Sequence, residues 1–481
     1  MSHWKIPIIV AAVIHFMSWV AFPVVPLNDT VGYLYLTHKA EHSKPVDMFE
    51  PDGTTNFQWD RLYPQGYAWF LDLTGLIAPQ GAWQGLTVFL QHLFVVFCVW
   101  LLMQIGILSG HPRVGWLAGL GMGISTAPVI YAQAVMSETL FFTLFLSGIW
   151  RFSVLMKKGA AAKITEPFLI GVLFGFSYLV RPIGGVMVIA VALTLFFVTQ
   201  IPKNIKLRWL GWMVGAFIAC HLVHLAYISS RYNQTTLTSN MGRHWANRVI
   251  TQSRALGPQI PEINQLMQRV QKSGVPFHLP GPWWTYWRAF RQAEPQQGAA
   301  EADQELGRIA KGALWHVLGD YILSIPTLAM TNIFSEDKWV THPESILPYD
   351  HLLFEQEFNK YINIWSTTPQ EQGQIPPREY ELRRHALQLM NFRPPLISSH
   401  VSRIFYMFFV GAPDWRSWVS VFLMFLGIAF AYLKKDPVPL LVSFVALGLI
   451  SAPTLTEWSA PRFYVSVTPA VVFLIAYAVM C

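Results

Sequence analysis

The chain has 481 residues, 53% of them hydrophobic and only 13% charged, where soluble domains carry roughly 25% charge. With a mean hydropathy of +0.36, that composition excludes an ordinary soluble globular protein and describes a polytopic membrane protein. The net charge of +7 raises the question of nucleic acid, but residues 229–402 hold 16 of the 34 basic and 15 of the 27 acidic side chains, leaving 18 against 12 elsewhere. The excess therefore sits in short loops, where it reports topology, and nucleic acid is not an expected partner.

Residues 6–27 form the first apolar run. It contains no Asp, Glu, Lys or Arg and is long enough to cross the hydrocarbon, which takes about 20 residues. Lys5 before it would also suit a signal peptide, but the run exceeds the usual apolar core of one and no small-residue cleavage site precedes Pro26. A polar stretch follows to about Asp72. Further spans are expected over 83–108, 114–134 and 139–152, the last starting near Ser137, then over 167–180, 183–201 and 209–229. Three more follow at 415–433, 438–453 and 463–480. The fold class is thus an all-α transmembrane bundle of about ten helices.

Alternation places Lys5, Arg113, the Lys157 to Lys163 cluster, the Lys203 to Arg208 cluster and Lys434-Lys435 on one side, which the positive-inside rule makes cytoplasmic. The N-terminus is then cytoplasmic. Three regions result: an N-terminal membrane module over 1–228 with a first external loop at 27–80, a mainly helical extracytoplasmic segment over 229–402, and C-terminal membrane helices over 403–481. Within the external segment residues 306–334 predict a helix holding His316 and Asp320, and 313–334 are expected to lie along the membrane interface rather than cross it.

The polar residues placed on the outer face beside the membrane are Asp29, Arg61 with Tyr63 in Arg-Leu-Tyr-Pro-Gln-Gly-Tyr, Ser137-Glu138, Arg181-Pro182, and Glu457 with Arg462. Singly each has an ordinary reading. Asn28, Asp29 or Ser137 caps a helix, Glu138 faces a helix dipole, the arginines snorkel to headgroups, and Tyr63 to Tyr67 is a turn. Jointly, on one face, they suit an acceptor hydroxyl losing a proton while a phosphate leaves, which needs a carboxylate base and cationic phosphate holders. Arginine fits the second role because its planar fork grips two oxygens. His221 and His224 could present a metal edge, but core packing with a backbone hydrogen bond is the expected reading. His15 and His92 stand as lone histidines. The cysteines Cys98, Cys220 and Cys481 fall in apolar runs and suggest no disulfide framework.

The order of Asp29 with Tyr33, Arg61-x-Tyr63-Pro64-x-Gly66-Tyr67, Ser137-Glu138-Thr139-Leu140-Phe141, Arg181-Pro182 and Ala460-Pro461-Arg462-Phe463-Tyr464 with Pro469 resembles the GT-C superfamily of polytopic glycosyltransferases. Within it the likeness is to the protein-mannosyltransferase and lipid A aminoarabinose-transferase branch. The resemblance implies a sugar donor on polyprenyl or dolichyl phosphate, transferred outside the cytoplasm, usually with inversion, to a lipid, glycan or protein acceptor. It implies catalytic roles for Asp29 and Glu138, and substrate or phosphate roles for Arg61, Arg181 and Arg462, with Tyr33, Lys39, Tyr63 and Glu457 beside them. Many relatives carry two adjacent acids in the first loop, whereas Asn28 precedes Asp29 here. No metal site is therefore expected from that pair, although a divalent cation is compatible with the chemistry. The bacterial inner membrane is the expected setting. The rival readings are a secondary transporter, which would need related halves and midplane charges, and a lipid-linked glycan ligase or polymerase.

Overall fold

In the computed structural model, residues 2–22, 64–78, 82–198, 200–232, 260–272, 299–334, 418–456 and 465–481 are described, with scattered residues between them including Thr30, Tyr33, Thr37 and Arg248. All regular structure among them is helical: α1 (Ile6–Ala21), α2 (Gln65–Ile77), α3 (Trp83–Leu108), α4 (Pro112–Ile124), α5 (Thr126–Gln133), α6 (Glu138–Lys158), α7 (Thr165–Val180), α8 (Val186–Phe197), α9 (Lys203–Tyr232), α10 (Pro261–Lys272), α11 (Ala299–Phe334), α12 (Trp418–Lys434), α13 (Pro437–Thr456) and α14 (Thr468–Met480). Five helical stretches are long and apolar enough to cross a membrane, or six when the bent pair α4 and α5 counts as one span; four further apolar helices are shorter. The protein is an integral membrane protein with an all-α fold.

The spans have the two faces such helices need. On α1, Ala11, Ile14, His15 and Ser18 are buried while Ile9, Val13 and Phe16 are exposed, giving one stripe to the bundle and one to lipid. Close helix approach uses small residues, as membrane packing favours: a Cβ on Gly171 of α7 would lie 2.2 Å from the Met213 carbonyl of α9.

The expected single span over 114–134 is two helices meeting at 51°. Pro128 explains the break, because it cannot donate to the carbonyl four residues back, that of Ile124, and its ring crowds that position. Ser125 turns extended there, with ψ 134°, and its hydroxyl returns to the Gly121 carbonyl at 2.6 Å. A second difference is α2, which forms within the stretch read as polar. The helix expected over 306–334 begins at Ala299 and contains Pro326.

Some of the segments that alternation groups together are joined directly. His111 Nε2 and Asp436 Oδ2 are 2.6 Å apart, joining the α3–α4 and α12–α13 turns. Glu166 receives Lys158 at 2.5 Å and Arg151 at 3.1 Å. The indole of Trp116 donates to the His3 carbonyl at 3.0 Å.

A second, smaller core lies between α9 and α12 in the sequence, where Ala246, Val249, Ile263 and Leu266 pack with Leu306, Ile309, Ala310 and Ala313. Arg248 fastens it to the membrane bundle. Its fully buried guanidinium donates to the Thr454 carbonyl at 3.0 Å, at the end of α13, and to Ser324 Oγ at 2.5 Å, and lies 4.8 Å from the Tyr321 ring. Trp315, Ile322 and Leu323 of α11 are exposed.

Candidate active site

At the helix ends away from the Lys158–Glu166 pair, α6 starts at Glu138 and α7 stops at Val180. The stop is written in the sequence: Pro182 disfavours helical geometry at the residue before it, and Arg181 accordingly turns extended, with φ −147° and ψ 125°. The guanidinium reaches across to α6, where Nη1 donates to Glu138 Oε1 and, at 3.2 Å, to Ser137 Oγ. Glu138 is 0% exposed and the Arg181 side chain 8%. Two formal charges are thus taken out of water together, an arrangement in which loss of either partner is costly. Glu138 Oε2 is buried without a hydrogen-bond partner among the described residues.

The segment that follows α1 enters through Tyr33, whose hydroxyl lies 2.8 Å from Ser137 Oγ. Its ring meets that of Tyr67 edge to face, 4.7 Å between centroids. Thr30 Oγ1 donates to the Val135 carbonyl at 2.9 Å. α2 is thirteen residues long, too short to cross the membrane. Its first turn lies against the end of α7 because Gly66 has no side chain: a Cβ there would sit 2.7 Å from both the carbonyl carbon and the oxygen of Leu179. This contact holds Tyr67 beside the ion pair. Burial first, then the neighbouring Tyr33 and Glu138, push the Tyr67 phenol well above its ordinary range, so it serves as a neutral donor. That proton goes to Gln91 Oε1 at 2.6 Å.

Of the site residues expected from the sequence, the structure brings Tyr33, Glu138 and Arg181 together. Asp29, Lys39, Arg61, Tyr63, Glu457 and Arg462 lie outside the described residues. The structure adds three participants, Thr30, Tyr67 and Gln91. Tyr67 stood inside a noted motif without a role; Gln91 could have been found as a polar side chain in an otherwise apolar span, where such residues need a partner.

Two further readings are corrected. His15 and His92 are not lone: their Nδ1 atoms are 2.8 Å apart, His92 Nε2 is 2.8 Å from Gln133 Oε1, and Gln133 Nε2 donates to the Phe22 carbonyl at 2.9 Å. They form a buried chain from α1 through α3 to α5, which sequence separation of 77 residues conceals. His224 makes no hydrogen bond among the described residues through either ring nitrogen. It packs on Trp69, with centroids 6.2 Å apart, so aromatic contact replaces the expected backbone bond. No group of three or more His, Cys, Asp or Glu gathers among the described residues.

No protein-family model matches the sequence, and no curated protein matches it. Solved structures with similar chain paths include the Archaeoglobus fulgidus oligosaccharyltransferase AglB in complex with an inhibitory peptide and a dolichol-phosphate, at 10% identity and TM-score 0.44, covering 98% of this chain and 50% of that one. ArnT from Cupriavidus metallidurans bound to undecaprenyl phosphate is similar at 14% identity and TM-score 0.35, covering 99% and 77%. The Archaeoglobus enzyme in complex with Zn and sulfate is similar at 11% identity and TM-score 0.35, covering 91% and 53%. The chain therefore spans half the length of the AglB structure.

Proposed function

We propose that the protein is a membrane glycosyltransferase that moves a sugar from a polyprenyl-phosphate or dolichyl-phosphate donor to an acceptor hydroxyl on the extracytoplasmic face, with inversion. The observation that carries the reading is the buried pair of Arg181 and Glu138, with the second Glu138 oxygen unpartnered among the described residues and Ser137 and Tyr33 gathered around it. An ionisable pair held away from water at one end of a membrane bundle is a functional feature by default, because its desolvation is otherwise unrewarded.

In this reading the acceptor oxygen attacks the anomeric carbon from the face opposite the lipid phosphate. The new C–O bond forms as the bond from that carbon to the phosphate oxygen breaks. The lipid phosphate leaves with the electron pair, and the acceptor proton passes to Asp29 as general base. Glu138 orients the acceptor: with Oε1 committed to Arg181, Oε2 is available to accept one hydrogen bond from a sugar or acceptor hydroxyl. Arg61 and Arg462 hold the phosphate, with Tyr63, Lys39 and Glu457 around the entry. Arg181 adds positive charge to the same pocket while fixing Glu138. A divalent cation would supply further neutralisation of phosphate. Among the described residues Glu138 would offer such an ion one oxygen. With the N-terminus cytoplasmic, the pocket opens outside the cytoplasm, in a bacterial cell at the outer face of the inner membrane.

Mass spectrometry of lipid co-purified with the protein, followed by transfer assays with the lipid-phosphate sugar so identified, tests the reading. A correctly inserted Asp29→Asn variant is expected to lose transfer. Transfer at the parent rate by that variant, or an absence of polyprenyl phosphates together with transport of a free solute, would overturn it.

A further inference from the structure

Gln91 lies inside α3 and is 0% exposed. Its Nε2 donates to the Ala132 carbonyl at 3.0 Å and to the Ala134 carbonyl at 2.6 Å, while Oε1 accepts the Tyr67 hydroxyl at 2.6 Å. The amide orientation is fixed by its surroundings, since a flipped group would turn its oxygen toward two carbonyl oxygens. Both N–H groups and the carbonyl are therefore used, on three points of the protein.

Those three points belong to the two segments that build the site. Ala132 and Ala134 lie at the end of α5, in the short link that runs through Val135 and Met136 to Ser137 and Glu138. Tyr67 stands edge to face on Tyr33 of the segment that follows α1, and Tyr33 returns to Ser137. The circuit closes: Gln91 to Tyr67, Tyr67 to Tyr33, Tyr33 to Ser137, and along the backbone to Ala134 and Gln91. Thr30, the residue after Asp29, grips the same link at Val135. His92, next to Gln91 on α3, holds the intervening Gln133.

We infer that Gln91 is a positioning residue that locks the link carrying Glu138 to the segment that follows α1, so that the two acid-bearing segments hold one geometry during transfer. This rests on the glycosyltransferase reading for its catalytic consequence, though not for its structural one. An amide suits the task because it carries no charge into the bundle yet supplies two donors and an acceptor in one plane. Misplacing a reacting group by about 1 Å costs up to about a hundredfold in rate, whereas donor binding through its phosphate involves no atom of Gln91.

The test compares Gln91→Met, which removes all three bonds at similar length, with Tyr67→Phe, which removes only the bond to Gln91 Oε1. Two readouts are taken on each full-length protein in detergent: amide hydrogen exchange over residues 30–37 and 132–138, and kcat and KM for the lipid-phosphate donor. Gln91→Met is expected to speed exchange in both segments together and to lower kcat by about tenfold or more with donor KM within about twofold. Tyr67→Phe is expected to act in the same direction by less, and the double variant Gln91→Met/Tyr67→Phe to be no worse than Gln91→Met alone. A kcat equal to the parent's, exchange that rises in one segment only, or additive losses in the double variant would overturn the inference. If Gln91→Met does not fold, Tyr67→Phe decides on the same criteria. Coupled exchange in a parent protein that transfers no sugar would keep the lock and remove the glycosyltransferase reading; normal transfer by Gln91→Met would do the reverse.

Discussion

Replacing Arg181 with methionine removes the cationic partner of a carboxylate that is 0% exposed, while the unbranched side chain keeps much of the volume. Removing one member of a buried ion pair costs about 3–5 kcal/mol, because the other is left uncompensated, whereas replacing both with apolar groups is often neutral. Arg181→Met, which strands the Glu138 carboxylate, should therefore destabilise by about 3–5 kcal/mol, and combining it with Glu138→Leu should cost clearly less than the sum of the two single changes. The hydrogen bond from Arg181 to Ser137 is lost in both backgrounds that carry Arg181→Met, so it cancels from the cycle in first order. Unfolding in mixed micelles by sodium dodecyl sulfate, followed through the 20 tryptophans, gives all four stabilities. Additivity within about 0.5 kcal/mol, the behaviour of independent sites, would refute the pairing. Because Glu138 also orients the acceptor in the proposed reaction, the double variant is expected to be stable and inactive, which separates the structural from the chemical role.

Gly66→Ala places a methyl 2.7 Å from the Leu179 carbonyl, so α2 must move away from α7; a loss of about 1–3 kcal/mol from overpacking and a slower transfer rate are expected from unfolding and activity measurements on the same preparation. The raised Tyr67 phenol gives the pH dependence a definite sign: the folded state holds that proton more tightly, so its contribution is complete below the ordinary phenol range near 10 and is lost as pH rises beyond it. Tyr67→Phe should flatten that alkaline fall in stability, and an unchanged fall would assign it to other groups. Single cysteines at Lys203 and Arg308 should react with impermeant maleimide from opposite sides of sealed vesicles, and labelling of both from one side would break the proposed topology.

How far the sequence could be read follows from the range of the forces involved. The positions of the apolar helices and the end of α7 were legible because apolar run length and a proline act locally: Arg181 turns extended on account of its neighbour alone. Of the roughly ten expected crossings, only five or six among the described residues are long and apolar enough to span. The joint appearance of Glu138, Arg181 and Tyr33 in one place was legible too, since alternation of the spans sends all three to one end. The break at Ser125 was missed although Pro128 announces it, because hydropathy over 114–134 is continuous and only the lost hydrogen bond to Ile124 reveals the division. Helix α2 was passed over as polar for the opposite reason: its buried face of Gln65, Gly66, Tyr67 and Ala68 is small and hydrogen-bonding rather than oily. The pairing of His15 with His92, and the three bonds of Gln91, depend on helix packing across dozens of residues, and no local pattern encodes them.

The division of the span at Ser125 has a consequence for how lipid and chemistry are kept apart. All eight residues of α5 are buried, so this half-length helix is a plug within protein walls, screened on every side from acyl chains. Backbone carbonyls at its end can then be spent on Gln91 rather than on closing a helix, which hydrocarbon would forbid. A continuous rod through the bilayer would have no such liberty: it would have to keep those carbonyls to itself and deliver Ser137 and Glu138 wherever its axis happened to point.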